Sequence, residues 1–251
     1  MRLWVDTDVG TDPDDAVALL VAAAHPEVVL GGVSTVGSDA ARRAEVAREL
    51  VDVPVVAGGD VHALREGLDT ARPDALLAIG PLTNVASLLE VGGLPPRLAL
   101  MGGVLRPVRH RGAVRAVEHN LGTDPAAAAT VLARCPGARV VPLDVTVALR
   151  LTAGEQEVLV GAAPVLAPAV DAWTSAQRGA GVPADEAQLC LHDPLALLAL
   201  AGEPVVTVEP RRLAVLPDGR LVERPDAPEH ALVVGVDRDA ALGRILDLLA
   251  R

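Results

Sequence analysis

Short apolar runs alternate with helix-length segments through the first 140 residues of the chain. The apolar runs predict strands at Leu3–Val5, Val28–Thr35, Pro54–Val56, Leu76–Ile79, Arg97–Met101 and Ala138–Pro142. Helices are predicted between them at Ala16–Ala24, Ser38–Val51, Thr83–Leu89 and from Asp124-Pro125. Strands that return to one sheet through helices run parallel to one another. The alternation therefore predicts an α/β fold with an open, mostly parallel sheet flanked by helices.

The C-terminal third follows a different pattern. Helices are predicted at Gly154–Leu159 and Pro164–Gln177, from an Asp193-Pro194 cap, and at Asp239–Ala250. Leu213–Leu216 and Arg220–Glu223 flank the turn Pro217-Asp218-Gly219 and predict a small C-terminal β-hairpin, followed by a strand at Ala231–Val236. Because no linker or repeat divides the chain, we expect a single domain over residues 1–251.

Charge and cysteine content exclude several classes of protein. The chain has 22 Lys and Arg against 33 Asp and Glu, a net charge of -11, which repels nucleic acids and anionic membranes. Its longest apolar run, Ala16–Ala24, is too short to span a bilayer. Cys135 and Cys190 provide no disulfide framework. We therefore expect a cytoplasmic protein without nucleic-acid or membrane partners.

A carboxylate-rich segment, Asp6-Thr7-Asp8-Val9-Gly10-Thr11-Asp12-Pro13-Asp14-Asp15, joins the first strand to the first helix. Carboxylates this crowded repel one another unless a cation neutralises them. Their oxygen atoms favour Ca²⁺ or Mg²⁺, and the end of a parallel strand is where α/β sheets bind ligands. A simpler interpretation is that Asp12 and Asp14 cap the helix.

Three further segments carry polar side chains in the same order along the chain. They are Ile79-Gly80-Pro81-Leu82-Thr83-Asn84, Met101-Gly102-Gly103 with Glu118-His119-Asn120 and Asp124-Pro125, and Leu191-His192-Asp193-Pro194. Together with the acidic segment, they resemble the nucleoside hydrolase family, the inosine-uridine preferring, Ca²⁺-dependent N-ribohydrolases. The resemblance implies hydrolysis of the N-glycosidic bond of a ribonucleoside or related N-riboside by metal-activated water. It also implies a homo-oligomer, a dimer or tetramer.

The resemblance also implies a Ca²⁺ site. Asp8 is expected to bind the metal and to accept the proton of the attacking water, and Asp15 to bind the metal through both oxygens. Asp193 and the backbone carbonyl of Ile79 are expected to complete the protein's share of the ligands. A divalent cation acidifies water and positions the ribose, which suits this reaction.

Four other residues take substrate roles by the same resemblance. Asp14 is expected to accept a hydrogen bond from a ribose hydroxyl, and Glu118 and Asn120 to hold the sugar hydroxyls. His192 is expected to protonate the departing base, since an ordinary histidine titrates near neutral pH. Carboxylates around the sugar also oppose the positive charge that develops as the glycosidic bond breaks.

Simpler interpretations exist for several of these residues. The alternative for His192 is a buried, hydrogen-bonded histidine, and the alternative for Glu118 and Asn120 is a pair of solvated loop residues; for all three we favour the site roles. For Asp124 we prefer a plain helix cap. Trp173 is a candidate for a wall of the base pocket or for ordinary core packing.

The chain departs from the family pattern around the expected sugar and base. The acidic segment is two residues longer than its shortest form, so that either Asp12 or Asp14 could face the ribose; we favour Asp14. Gly37-Ser38 replaces a usual Gly-Asn. Another usual Gly-Asn is replaced by an arginine cluster, Arg106, Arg109, Arg111 and Arg115. We interpret the cluster as a solvated loop, with an anionic 5′ substituent of the substrate as the alternative ligand.

Two other functions are compatible with parts of the sequence. A non-catalytic homologue that binds nucleoside or ribose is suggested by the altered Gly-Asn positions. A phosphatase of the haloacid dehalogenase type is suggested by Asp6-Thr7-Asp8 after a buried strand, although Val9 displaces the Gly-Thr expected next.

Overall fold

The computed structural model describes residues 1–251 and contains one nine-stranded sheet with helices on both faces. The strands are β1 (Arg2–Thr7), β2 (Val29–Thr35), β3 (Val55–Ala57), β4 (Ala75–Ala78), β5 (Arg97–Met101), β6 (Val108–His110), β7 (Ala113–Arg115), β8 (Arg139–Val141), β9 (Val206–Val215), β10 (Leu221–Glu223) and β11 (Glu229–Val236). The helices are α1 (Asp14–Ala24), α2 (Ala40–Leu50), α3 (Val61–Ala71), α4 (Thr83–Glu90), α5 (His119–Thr123), α6 (Pro125–Arg134), α7 (Leu143–Thr146), α8 (Ala153–Ala162), α9 (Ala167–Gly179), α10 (His192–Ala201) and α11 (Arg238–Leu249).

The strand order in the sheet is β10-β9-β11-β8-β5-β4-β1-β2-β3. Every neighbouring pair from β3 to β11 is parallel, and only β9 and β10 run antiparallel to their neighbours. The predicted open, mostly parallel sheet is therefore confirmed. Parallel strands all end at the same edge, and the loops after β1, β4 and β5 meet there.

The predicted C-terminal hairpin is also confirmed. β10 pairs antiparallel with the end of β9, where Val215 faces Leu221, and Gly219 supplies the turn with a φ of 84°. β9 begins earlier than the sequence indicates, at Val206. Its first half, which includes Glu209 and Pro210, is only partly buried and therefore lacks a continuous apolar run.

Side chains of β1 alternate between two apolar layers, as expected for a strand buried on both faces. Leu3 and Val5 pack in the layer formed with α1, α10 and α11. Trp4 packs in the layer formed with α3, α4 and α6. The loop after β1 thus leaves a strand that is fixed on both sides, which holds the acidic segment in place.

The helix α10 does not begin as predicted. Its N-cap is Leu191, which makes no side-chain hydrogen bond to the helix, and Asp193 lies inside the first turn. The predicted Asp193 cap is therefore wrong, because this carboxyl group faces other acidic residues and not the helix's own N–H groups. The interpretation of Asp12 and Asp14 as caps of α1 is also wrong. The N-cap of α1 is Pro13, no side chain caps the helix, and Asp14 and Asp15 lie inside its first turn.

Asp124 is the helix cap that the sequence predicts. Its Oδ1 accepts a hydrogen bond from the Ala127 N–H at 3.0 Å, and its Oδ2 accepts one from the Thr83 hydroxyl at 2.7 Å. The cap thus fixes the start of α6 and ties it to the start of α4.

Several elements lie where the sequence predicts no regular structure, namely α3, the β6–β7 hairpin and the short helices α5 and α7. α3 buries only Leu64 and Leu68, so its apolar pattern is sparse, although Asp60 caps it through the N–H groups of His62 and Ala63. The short hairpin β6–β7 occupies the arginine cluster that we interpreted as a loop.

None of the helices alone has the length and apolar composition needed to cross a bilayer. One pair of segments, Ala153–Ala162 and Pro164–Gly179, has the required length and apolar composition when the two are taken together. These two segments meet at an angle of 117°.

Candidate functional site

A cavity of about 520 Å³ opens where β1, β4 and β5 end. All the residues with predicted site roles line it: Asp8, Asp14, Asp15, Ile79, Glu118, Asn120, His192 and Asp193. They come from distant parts of the chain, and the parallel sheet brings them to one edge. The same cavity is also lined by Asp12, the alternative contact of the ribose, and by Arg111 and Arg115 of the arginine cluster. His110 and His119, for which we predicted no role, line it as well.

Three buried carboxylates form the floor of this cavity. Asp14 and Asp15 project from the first turn of α1 and Asp193 from the first turn of α10, and one oxygen of each lies within 4.8 Å of the others. Burial raises the pKa of each of these groups well above its usual range, and the neighbouring carboxylates raise it further. A divalent cation bound by oxygen ligands would compensate both effects, so this donor set fits Ca²⁺ or Mg²⁺.

Asp8 stands beside the three-carboxylate cluster rather than within it. Its Oδ2 lies 3.8 Å from Nη1 of Arg43. Burial raises the pKa of Asp8, while the positive charge of Arg43 lowers it in part. The charge of Asp8 in turn raises the pKa of Asp15 and of Asp193, so the four carboxylates form one electrostatic unit. The structure therefore groups Asp14 with Asp15 and Asp193 more closely than it groups Asp8 with them.

The backbone carbonyl of Ile79 directly follows β4 and faces Asn120. The Nδ2 of Asn120 donates hydrogen bonds to the carbonyl oxygens of Ile79, at 3.1 Å, and Met101, at 3.0 Å. Asn120 is buried and is therefore not a solvated loop residue. Its amide nitrogen holds the ends of β4 and β5 together, and its oxygen is left without a protein donor.

Glu118 is buried as well and acts as the N-cap of α5. Its carboxylate accepts hydrogen bonds from the N–H groups of Asn120 at 2.7 Å, Gly103 at 2.9 Å and Leu121 at 3.2 Å. Burial raises the pKa of Glu118, and these three hydrogen bonds lower it in part. The carboxylate thus joins the loop after β5 to α5 at the wall of the cavity.

His192 precedes Asp193 and lines the same cavity. Its Nδ1 lies 2.7 Å from the hydroxyl oxygen of Thr146, while its buried Nε2 has no hydrogen-bond partner in the protein. Burial lowers the pKa of His192 well below its usual range, and the charges of Arg111 and Arg150 act in the same direction. The ring is therefore neutral in the free protein at neutral pH, which differs from the sequence-based argument for its role.

His110 contacts His192 edge to face, with ring centroids 5.1 Å apart and planes at 77°. Its Nδ1 lies 3.2 Å from the Arg150 guanidinium. Burial, followed by the charges of Arg111 and Arg150, lowers the pKa of His110 to about 3. Both histidines are thus neutral and are surrounded by arginine side chains.

The structure separates the arginines of the predicted cluster. Arg106 and Arg109 pair with acidic residues outside the cavity, at 3.7 Å from Asp144 and 2.7 Å from Glu186 respectively. Only Arg111 and Arg115 line the cavity.

Arg111 has a short ion pair with Asp12, and its guanidinium carbon lies 4.9 Å from the centre of the Trp173 ring. Trp173 is buried and packs in the core, which agrees with the simpler of its two interpretations. Asp12 and Arg111 are 99 positions apart. No local pattern in the sequence indicates this pair.

Comparison with known proteins agrees with this geometry. Residues 58–242 match the family described as inosine-uridine preferring nucleoside hydrolase. An uncharacterized protein of Schizosaccharomyces pombe is 28% identical over 228 residues, which cover 71% of this chain and 72% of that protein. The acidic segment precedes the region matched by the family.

Solved structures share the whole fold. A plant nucleoside hydrolase, PpNRh1, has a TM-score of 0.77 at 21% identity, over 99% of this chain and 98% of its own. The purine-preferring ribonucleoside hydrolase of Gardnerella vaginalis has a TM-score of 0.75 at 22% identity, over 100% of this chain and 99% of its own. Because the family match extends over most of the sequence, the chain belongs to the inosine-uridine preferring nucleoside hydrolases, a metal-dependent family of enzymes that hydrolyse N-glycosyl bonds.

Proposed function

We propose that this protein hydrolyses the N-glycosidic bond of ribonucleosides or related N-ribosides, with Ca²⁺ as its cofactor, and releases the base and ribose. The observation that carries this proposal is the convergence of buried carboxylates and the unpartnered Nε2 of His192 on one cavity. The carboxylates oppose positive charge on the sugar, and the imidazole is available to the base.

The residues proposed to hold Ca²⁺ are Asp8, Asp15, Asp193 and the carbonyl of Ile79. Ca²⁺ suits this set because it accepts many oxygen ligands, including backbone carbonyls, in flexible geometry, whereas Mg²⁺ usually retains several waters. When bound, the cation supplies positive charge that acidifies water and orients the ribose hydroxyls.

The protein's own residues bind the ribose and transfer the protons. Asp14, Glu118 and Asn120 hold the ribose hydroxyls, and Asp8 accepts a proton from the attacking water. The water oxygen bonds to C1′, the C1′–N bond breaks, and its electron pair stays with the base. Positive charge on the sugar is opposed by the surrounding carboxylates. His192 delivers a proton to the base through Nε2. Because the ring is neutral in the free protein, it must first take up a proton from solvent once the substrate is bound.

The phosphatase alternative needs a reactive aspartate after β1, and Asp6 is unsuited to that role. Asp6 is buried and does not line the cavity. Its Oδ1 accepts hydrogen bonds from the Ser34 hydroxyl at 2.5 Å and from the Asn84 amide at 2.8 Å. Burial raises the pKa of Asp6 to about 7. This network fixes the end of β1 beneath the acidic segment.

The assay that tests the proposal follows base release from a panel of purine and pyrimidine ribonucleosides. We expect hydrolysis with Ca²⁺, its loss with a chelator, and recovery when Ca²⁺ is returned. Binding of nucleosides without release of any base would instead support the non-catalytic homologue. Sizing chromatography tests the expected dimer or tetramer, and cell fractionation the expected cytoplasmic location.

A further inference from the structure

Arg111 occupies a backbone conformation that arginine rarely adopts. His110 pairs with Ala113, so Arg111 and Gly112 form the two-residue loop of the β6–β7 hairpin. Their φ angles are 51° and 75°, as in a type I′ turn, where Asn-Gly is strongly preferred. A residue other than glycine is rarely held in this region, and such backbone strain is concentrated at functional sites.

Neighbouring residues keep the strained turn in place. Glu186 accepts a hydrogen bond from the Gly112 N–H at 2.6 Å and pairs with Arg109, which anchors the hairpin from outside. Asp12 and Trp173 contact the guanidinium of Arg111 itself. Asp12 belongs to the acidic segment but not to the three-carboxylate cluster, so its observed role is to hold Arg111.

Polar atoms without partners lie at this part of the cavity. Nε of Arg111, Oδ1 of Asp12 and Nε2 of His192 are all buried, and none has a hydrogen-bond partner in the protein. All three residues line the cavity. Buried polar atoms normally find partners, so these atoms indicate a ligand with polar groups at this position.

Arg111 lies between two groups of cavity residues. On one side it pairs with Asp12 of the acidic segment, and on the other it adjoins His110, which contacts both His192 and Arg150. Breaking a C–N glycosidic bond leaves positive charge on the sugar and negative charge on the base. A preformed donor near the base would stabilise that negative charge as it develops.

We propose that Arg111 is a catalytic residue of the leaving-group site, where its Nε–H stabilises negative charge on the departing base. Asp12 is the positioning residue that holds the guanidinium over the cavity. This assignment rests on the proposed N-riboside hydrolysis. It assigns Arg111 to the base and not to a 5′ substituent of the sugar.

The test compares wild-type protein, Arg111→Asn and Asp12→Asn on a series of phenyl ribosides with increasing leaving-group pKa, in saturating Ca²⁺. Asparagine suits the left-handed turn, which offsets part of the stability lost with the Asp12 ion pair, so Arg111→Asn is expected to fold. We expect kcat/KM to fall by roughly 10²-fold for the poorest leaving group, as for the loss of one preformed donor, and far less for p-nitrophenyl riboside. Asp12→Asn should show the same trend with a smaller loss.

Arg106→Ala is the matched control, because this arginine is exposed and pairs with Asp144 outside the cavity. An equal loss across the series, or no loss, would overturn the leaving-group role of Arg111. If Arg111→Asn does not fold, the same kinetic series is measured on Arg111→Gly, because glycine also adopts the left-handed turn. Failure of the wild-type protein on every riboside would instead count against the proposed function.

Discussion

The hydroxyl oxygen of Thr146 lies 2.7 Å from Nδ1 of His192 in the protein interior. This contact fixes the orientation of the imidazole ring, whose Nε2 is buried without a hydrogen-bond partner in the protein. When Thr146 donates to Nδ1, the N–H of the neutral ring is at Nε2, where it can donate a hydrogen bond to the base; transfer of a proton requires the ring to be protonated first. The role of His192 therefore depends on a residue that carries no charge and that the sequence does not single out.

His192→Ala should slow the hydrolysis of ordinary nucleosides by roughly 10²–10⁴-fold, the usual range for general acid catalysis. p-Nitrophenyl riboside should be affected far less, because nitrophenolate leaves without a proton. Steady-state kinetics on both substrates make the comparison. Equal losses would show that His192 positions the sugar or the metal and does not protonate the base.

Thr146→Val keeps the volume of the side chain and removes the hydroxyl group. We expect a smaller loss of kcat on nucleosides than for His192→Ala, again with little effect on p-nitrophenyl riboside. A loss of thermal stability with unchanged kinetics would instead assign Thr146 a purely structural role.

Removing one of the buried carboxylates should weaken the metal site. Asp15→Ala and Asp193→Ala are expected to abolish tight Ca²⁺ binding, because Ca²⁺ needs several oxygen ligands and each of these variants removes a carboxylate from the site. Asp12→Ala should change the affinity much less, since Asp12 pairs with Arg111. Isothermal titration calorimetry measures all three. Wild-type affinity in either of the first two variants would refute this ligand set.

Much of the cavity could be predicted from the sequence for a simple physical reason. Parallel strands end at one edge, so polar residues after β1, β4 and β5 must come together. The Asp12–Arg111 and Thr146–His192 contacts could not be predicted, because each depends on how a loop or short hairpin folds over that edge. Asp193 was predicted from a local pattern that proved misleading. The Asp-Pro pair does lie at the start of a helix, but the Asp193 side chain faces carboxylates from a distant part of the chain and does not cap the helix.

The alternative role of the arginine cluster can be tested at Arg115. This side chain is exposed, lines the cavity and has no acidic partner, unlike Arg106, Arg109 and Arg111. If substrates carry a 5′-phosphate, Arg115→Ala should lower kcat/KM for nucleoside 5′-monophosphates about tenfold, the effect of about 1.4 kcal/mol, and leave nucleosides nearly unchanged. Arg106→Ala should affect neither substrate. No preference for the monophosphate in the wild-type protein would end this hypothesis.

The start of α8 provides a prediction on stability away from the cavity. Thr152 and Glu155 form a capping box, and Glu155 also pairs with Arg238 at 2.7 Å. The hydrogen bond from Arg238, followed by that from the Thr152 N–H, lowers the pKa of Glu155 to about 2. A depressed carboxyl pKa stabilises the folded state above the unfolded pKa of about 4.3, and this contribution is lost as the pH falls towards the folded value.

Glu155→Ala should therefore lower the melting temperature at pH 7, by about 2–4 °C for each kcal/mol lost, and the difference from wild type should shrink below about pH 4.3. Glu155→Gln should be intermediate, because glutamine can keep the capping box but not the charge. Glu157→Ala is the control, since Glu157 is exposed on the same helix and forms no ion pair. A difference that stays constant from pH 7 to pH 3 would show that the ionised carboxylate of Glu155 contributes nothing.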